Sequence, residues 1–366
     1  MYSSKAQQKL FTTIAKMKES TIKLIIPENL SVTQLTKMTT KWGIVSAGKI
    51  SHDFVAAVRG SNDGEHEFVA VAARSLESAE AFAKVHGIPK AYGSYESIAN
   101  DPNVEVAYIG SITSQHFSLA KLMLENRKHV LLEKPMTTNL KETKTLCELA
   151  KKNKLFLMEA LWSRFLPSYH FLMDLVRKDT IGKIVHVDAH LGVAMLDRER
   201  IVKKAYGGGA ILDIGIYPLA LVSLIYGGEK PMRIAAVGHL NEDGIDIGAT
   251  CSLQFSNNRT ASITTSAIAS LQNDATIIGT HGQIKIPNPM YVATEIHTEE
   301  ENFSFSLPEP IIPPNYPNST GLMYEAYEVR RCLKEGLLES SKMPHKDSEL
   351  LAEIMDEIRK EIGAGK

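Results

Sequence analysis

Two stretches hold residue types that do chemistry as well as packing. The first is Leu131-Leu132-Glu133-Lys134-Pro135, where an apolar run beginning beside His129 and Val130 reads as a strand, then breaks into a charge pair and a proline. In an open α/β sheet, ligands sit beyond the carboxyl ends of the parallel strands, so a lysine at that end is delivered to the ligand crevice. Lys134 is the first candidate for catalysis. The proline adds direction, because X-Pro is the one peptide link whose cis form costs only about 0.5–1 kcal/mol. A surface lysine between strand and helix accounts for these five residues equally well. The second stretch is Gly207-Gly208-Gly209-Ala210-Ile211-Leu212-Asp213-Ile214-Gly215-Ile216-Tyr217. Asp213 and Tyr217 are four apart, which in a helix puts them on one face. A carboxylate and a phenol in an apolar helix, continuing Leu219, Ala220, Leu221, Leu224 and Ile225, need polar partners. A substrate meets that need, and so does a buried Asp–Tyr pair that only stabilises the fold.

From Lys41 to Glu159 strand and helix patterns alternate, as a doubly wound fold requires. The strands read as Lys41–Ser46, Glu67–Ala73, Glu105–Gly110, Val130–Glu133 and Leu155–Glu159, with helices at Leu76–His86, Ser114–Asn126 and Leu140–Lys152. The first turn offers Ser46, Gly48 and Ser51 in the places where a dinucleotide fingerprint has glycines, so only the middle glycine is kept. A helix opening at Lys49 and Ile50 still presents free N–H groups and its dipole to a diphosphate. At the end of the second strand stand Ala73, Arg74 and Ser75, with no carboxylate for a ribose 2′-hydroxyl. A guanidinium there grips a 2′-phosphate in a fork, which points to NADP. The fourth strand runs into Ser111-Ile112-Thr113-Ser114-Gln115-His116, where His116 either hydrogen-bonds the cofactor or orients its loop. No second ligand has the spacing to make His116 a metal site.

At 366 residues the chain exceeds the roughly 250–300 at which one core stops growing, so two domains are expected. A hydrophobic share of 44%, a charged share of 23% and a net charge of −1 give no electrostatic ground for a nucleic acid or an anionic membrane as partner. Three scattered cysteines, Cys147, Cys251 and Cys332, suit a reducing compartment, the cytoplasm being the expected one. No apolar run approaches the roughly 18 residues that span a bilayer. Residues 1–37, rich in Lys, Ser and Thr and without arginine, read as a dispensable, poorly ordered extension ahead of Met38.

These motifs together resemble the glucose-fructose oxidoreductase / inositol dehydrogenase (Gfo/Idh/MocA) family of NAD(P)-dependent sugar and polyol oxidoreductases. The resemblance rests on Trp42-Gly43-Ile44-Val45-Ser46, Glu133-Lys134-Pro135, Leu157–Trp162 and Asp213-x-x-x-Tyr217, and runs from Lys41 to Gly363. It implies an α/β architecture: a Rossmann domain at 38–160, then an α+β substrate and dimerisation domain at 161–345 built on a large, mostly antiparallel open sheet, and a C-terminal helix at 346–366 packing back. Alternating runs at Lys183–Val193, Met232–Leu240, Ala249–Phe255, Thr260–Ala267, Ala275–Gly279 and Gln283–Ile286 agree independently. A sheet face left open makes a homodimer the physical expectation.

The resemblance further implies oxidation of a secondary alcohol of a trans-dihydrodiol, or of the anomeric hydroxyl of a pentose or hexose such as D-xylose, with NADP as acceptor. Tyr217 then acts as general acid/base where relatives often carry histidine, Lys134 together with the oxidised nicotinamide lowers its pKa, Lys134 steadies the alkoxide, and Asp213 orients the substrate hydroxyl or the lysine without being the base. Ser46, Gly48, Lys49, Ile50, Arg74, Ser75, Ser111, His116, Glu133 and Lys134 line the cofactor. Trp162, Asp213, Tyr217, Tyr291 and Tyr316 line the substrate, while Arg164 is a salt-bridge scaffold or an interface residue. The alternatives are another sugar or polyol dehydrogenase of the same family, or a silent NADP-binding sensor, which has no use for Lys134, Asp213 and Tyr217 together.

Overall fold

The computed structural model describes residues 39–364, so the extension at 1–37 lies outside the described residues. Six short strands, β1 (Thr40–Val45), β2 (His66–Ala72), β3 (Ala91–Tyr92), β4 (Val106–Ile109), β5 (His129–Glu133) and β6 (Leu157–Ala160), lie in the order β3-β2-β1-β4-β5-β6. Helices α1 (Lys49–Gly60), α2 (Leu76–His86), α3 (Tyr95–Ala99), α4 (Thr113–Glu125) and α5 (Leu140–Asn153) alternate with them. The pairings of β1 with β4, β4 with β5, β5 with β6 and β2 with β3 are all parallel. Helices cover both faces, which is why β4 and β5 are continuous apolar runs without polar alternation. The two-residue β3 carries too short a pattern to be read from sequence.

The second half opens with α6 (Pro167–Arg177), β7 (Ile184–Gly192), α7 (Glu199–Val202) and α8 (Ile216–Ile225). It continues through β8 (Arg233–Leu240), β9 (Asp246–Gln254), β10 (Thr260–Ser266), β11 (Ala275–Gly279), β12 (Gly282–Ile286), β13 (Glu295–His297) and β14 (Asn302–Ser304), then closes on α9 (Met323–Lys334) and α10 (His345–Glu361). These strands form one eight-stranded sheet, ordered β14-β13-β12-β11-β7-β10-β9-β8, in which only β7 and β10 run parallel. Period-two alternation sets its faces: Ala261 and Ile263 of β10 are buried, while Ser262 and Thr264 turn outward. The hairpin at Asn257-Asn258 works because both asparagines adopt left-handed φ of 57° and 58°.

The length and composition of Lys204–Ile225 would allow a membrane crossing, contrary to the sequence reading, but 89% of its apolar window is buried inside the protein. It is the core helix that carries the second constellation. One apolar core joins the two sheets, running from Trp42, Phe54 and Tyr108 through Trp162 and Tyr169 to Ile277 and Ile284. The C-terminal helix α10 does pack back: Asp356 accepts from Leu140 N–H at 2.9 Å and Arg359 donates to Thr138 O at 2.6 Å. Arg164 is part of the same tie. Its guanidinium, 3% exposed, donates to Asp347 Oδ2 at 2.5 Å and to Lys342 O at 3.2 Å, so it is a scaffold for α10. Truncation strands a buried carboxylate, and Arg164→Ala is expected to cost about 3–5 kcal/mol of stability in denaturant unfolding.

Candidate active site

The cofactor crevice is built where β1 meets α1. Ser46 stands at φ 87°, a left-handed conformation usual for glycine, and so keeps the tight turn without one. Gly48 precedes the helix, and a Cβ there would lie in ordinary contact, 3.4 Å, with Gly110 O just beyond β4. At Gly110 itself a Cβ would fall 2.4 Å from Ser51 Oγ, so helix and strand pack as closely as the fingerprint's last small residue demands. No side chain caps α1, which leaves the amino-terminal N–H groups around Lys49 and Ile50 for a diphosphate. Arg74 is exposed at the end of β2, and Ser75 caps α2 by accepting from Ser78 N–H at 3.3 Å. Tyr95, which sequence reasoning missed, lies beside both Arg74 and Ser46 at this adenosine end. The residues present fit a dinucleotide.

At the other end of the crevice, β5 delivers Lys134. The Lys134–Pro135 peptide is cis. His116, buried, has Nδ1 2.8 Å from Pro135 O and Nε2 3.1 Å from Ser111 O, so its ring ties the Ser111 loop to the lysine turn. Met136 N–H donates to Glu159 at 2.7 Å, pinning the far side of the same turn. Glu133 points into the core, where it accepts from Tyr108 O–H at 2.7 Å and from Lys134 N–H at 3.2 Å. Burial pushes its carboxyl up to about 7, against the pull of Tyr108 and Lys134. Glu133 thereby fixes the backbone from which the ammonium projects.

The second constellation meets it there. Residues Ile211–Gly215 form a π turn where the spacing predicts plain α-helix. The cause lies elsewhere in the chain: buried Asp246 accepts Ile211 N–H at 2.6 Å, and Gly209, at φ 128°, leaves no room for a Cβ beside the Asp246 carboxylate. The wider turn carries Asp213 toward β5. Lys134 Nζ donates to Asp213 O, lies 3.7 Å from Asp213 Oδ1 and sits 4.9 Å from the centre of the Tyr217 ring. Arg200, on α7, also donates to Asp213 Oδ1 and was not singled out by sequence reasoning. Burial opposes ionisation of Asp213, yet Lys134 and Arg200 prevail and hold it below the usual carboxylate range.

Tyr217 accepts the Trp162 indole N–H at 2.8 Å, and its ring lies 5.3 Å from that of Tyr291. Tyr316 falls within the fields of Arg200 and Asp213. Trp162, Tyr217, Tyr291 and Tyr316 thus cluster about the Lys134–Asp213 pair, beyond the carboxyl end of β5. Burial, reinforced by Glu133, drives the Tyr217 phenol well above its ordinary value of 10, and the Trp162 hydrogen bond only partly offsets this. Sequence reasoning has the ammonium and the oxidised nicotinamide together lower that pKa; in the protein alone the ammonium lies over the ring, and desolvation dominates.

Residues 40–161 match the oxidoreductase family with an NAD-binding Rossmann fold, GFO/IDH/MocA, and residues 169–285 match the C-terminal domain of the same family. The chain is 45% identical over 326 residues to a trans-1,2-dihydrobenzene-1,2-diol dehydrogenase of Danio rerio, covering 89% of this chain and 98% of the relative. The Homo sapiens protein of that name is 43% identical over the same length, with 89% and 98% coverage. Among solved structures, a levoglucosan dehydrogenase in complex with NADH and L-sorbose superposes with a TM-score of 0.77 at 18% identity, covering 89% of this chain and 97% of the other. A 3-ketoreductase from Actinomadura kijaniata in complex with NADP does so at 0.75 and 21%, with 88% and 97% coverage.

Proposed function

Because the chain belongs to the Gfo/Idh/MocA oxidoreductase family and its relatives are dihydrodiol dehydrogenases, we propose that it oxidises a secondary alcohol of a trans-dihydrodiol, or the anomeric hydroxyl of a sugar such as D-xylose, with NADP⁺ as acceptor. The observation that carries this reading is the meeting of Lys134, Asp213 and Tyr217, 79 residues apart in the case of Lys134 and Asp213, at the ligand end of the sheet. A bound nicotinamide supplies the hydride acceptor. The protein handles the proton. As the carbinol carbon is oxidised, the hydroxyl proton passes to the Tyr217 oxygen, and the Trp162 N–H steadies the phenolate that must be present to take it. Lys134 stabilises negative charge on the substrate oxygen, while Asp213, held by Arg200, orients the ammonium. Trp162, Tyr291 and Tyr316 supply flat walls for a ring-shaped substrate. Initial rates with NADP⁺ against D-xylose, D-glucose and a trans-dihydrodiol test the substrate class; no turnover of any of them would leave another sugar or polyol as substrate, or the sensor reading.

NADP selectivity is proposed on Arg74, which makes no ion pair among the described residues and stands where no acid repels a 2′-phosphate. Arg74→Ala is expected to raise the KM for NADP⁺ about tenfold and to leave that for NAD⁺ nearly unchanged, as loss of a charge-assisted fork requires. Equal effects on both would place the arginine outside the cofactor site. A homodimer through the eight-stranded sheet is proposed on its outward face, where Val237 is 73% exposed; light scattering on the purified protein reads the outcome. A reducing, cytoplasmic setting is proposed on the three buried, unbridged cysteines.

A further inference from the structure

Asp53 lies on α1, the helix whose amino end faces the dinucleotide, and is 1% exposed. Nothing in the proton chemistry above uses it. Its carboxylate is nevertheless fully engaged by a segment 262 residues downstream. Asn315 N–H donates to both oxygens at 2.9 and 3.0 Å, Asn315 Nδ2 donates to Oδ1 at 2.8 Å, and Tyr316 N–H donates to Oδ2 at 2.9 Å. The same segment touches α1 twice more, through Asn315 Nδ2 to Lys49 O at 3.4 Å and His52 Nε2 to Pro313 O at 3.3 Å.

Two features turn this clasp toward the substrate site. The acceptor seizes the N–H of Tyr316 itself, the residue whose ring lies near Arg200 and Asp213, so the Cα from which the ring projects is fixed relative to α1. Pro313, Pro314 and Pro317 flank the held pair, and their locked φ makes the segment stiff, so that a shift at Asp53 is passed on and not absorbed. Hydrogen bonds to an ionised acceptor are the strong kind and have narrow geometry. We propose that Asp53 is a positioning residue that sets the Tyr316 wall of the substrate site from the dinucleotide-binding helix. The inference rests on the reading of Tyr316 as a substrate wall.

Asp53→Asn keeps the size of the side chain but removes its charge and turns an N–H₂ group toward two N–H donors. With the best substrate among D-xylose, D-glucose and a trans-dihydrodiol, at saturating NADP⁺ and well below the melting temperature, KM for that substrate is expected to rise about tenfold while KM for NADP⁺ moves less than about twofold. Tyr316→Ala is expected to raise the same KM, and the double variant to resemble Tyr316→Ala alone, since the two residues act through one wall. Amide exchange at Asn315 and Tyr316 is expected to quicken in Asp53→Asn with that of the Lys134 turn unchanged, a readout that needs no turnover. Additive effects, an unmoved substrate KM in Asp53→Asn, or unchanged exchange overturn the proposal while the Tyr316 reading stands. An unmoved KM in Tyr316→Ala overturns that reading and this inference with it. Should Asp53→Asn fail to fold, Asn315→Ala removes only the side-chain arm and carries the same comparison, with an expected rise of about threefold.

Discussion

Replacing Lys134 with methionine is expected to lower kcat by about 10² or more, roughly 2.7 kcal/mol of transition-state stabilisation, with NADP⁺ still bound. Methionine fills the same space and removes the charge. The loss should not come through unfolding, because the ionised, half-buried Asp213 keeps its second cation, Arg200, and no orphaned charge is left behind. The lysine turn is also held from outside the side chain, by His116, Glu133 and the Glu159 contact to Met136 N–H. A melting temperature close to that of the parent protein beside a hundredfold slower turnover is the pattern sought. Lys134→Arg keeps the charge but spreads it over a planar fork, so partial activity is expected. Stopped-flow turnover and titration of NADPH fluorescence separate the two quantities, and near-normal kcat in the methionine variant would remove the ammonium from the mechanism.

What the chain displays of this site divides along sequence distance. Lys134 and the Asp213–Tyr217 pair are legible because each sits in a local pattern: a strand that ends in charge, and polar residues at helical spacing in an apolar run. The longer strands of both sheets are legible for the same reason, but the short edges β3, β13 and β14 are not, because they carry too few positions to show alternation. Arg200 was missed because a four-residue helix has no periodicity to mark it. The π turn at Ile211 depends on Asp246, 35 residues on, and the Asp53 clasp on partners 262 residues on. Tertiary contacts of that reach override local propensity and leave no trace in it. The phenol's direction in the protein alone is spatial too: an ammonium near a tyrosine in the sequence is, in the fold, an ammonium over its ring, and burial outweighs it.

Tyr217→Phe is expected to cost about 10² or more in kcat, and its signature should lie in the pH profile. The buried phenol sits above its ordinary pKa, so at neutral pH it carries its proton. In that state it is ready to donate to a carbonyl oxygen and unready to accept from an alcohol. Reduction should therefore be favoured near pH 7 and fall as the proton is lost at high pH, while oxidation should climb with pH into the alkaline range as phenolate forms. Phenylalanine removes the titrating oxygen, and the climb attributed to it should vanish along with the rate. It also leaves the Trp162 N–H without its partner inside the protein, which adds about 1–3 kcal/mol of instability and makes a thermal control necessary. Tyr217→His distinguishes proton transfer from packing. An imidazole restores an acceptor for Trp162 and a proton carrier with an ordinary pKa of about 6.5, so activity should return with the oxidative limb moved toward neutral pH. A Tyr217→Phe enzyme that keeps the rising limb would assign the proton to another group.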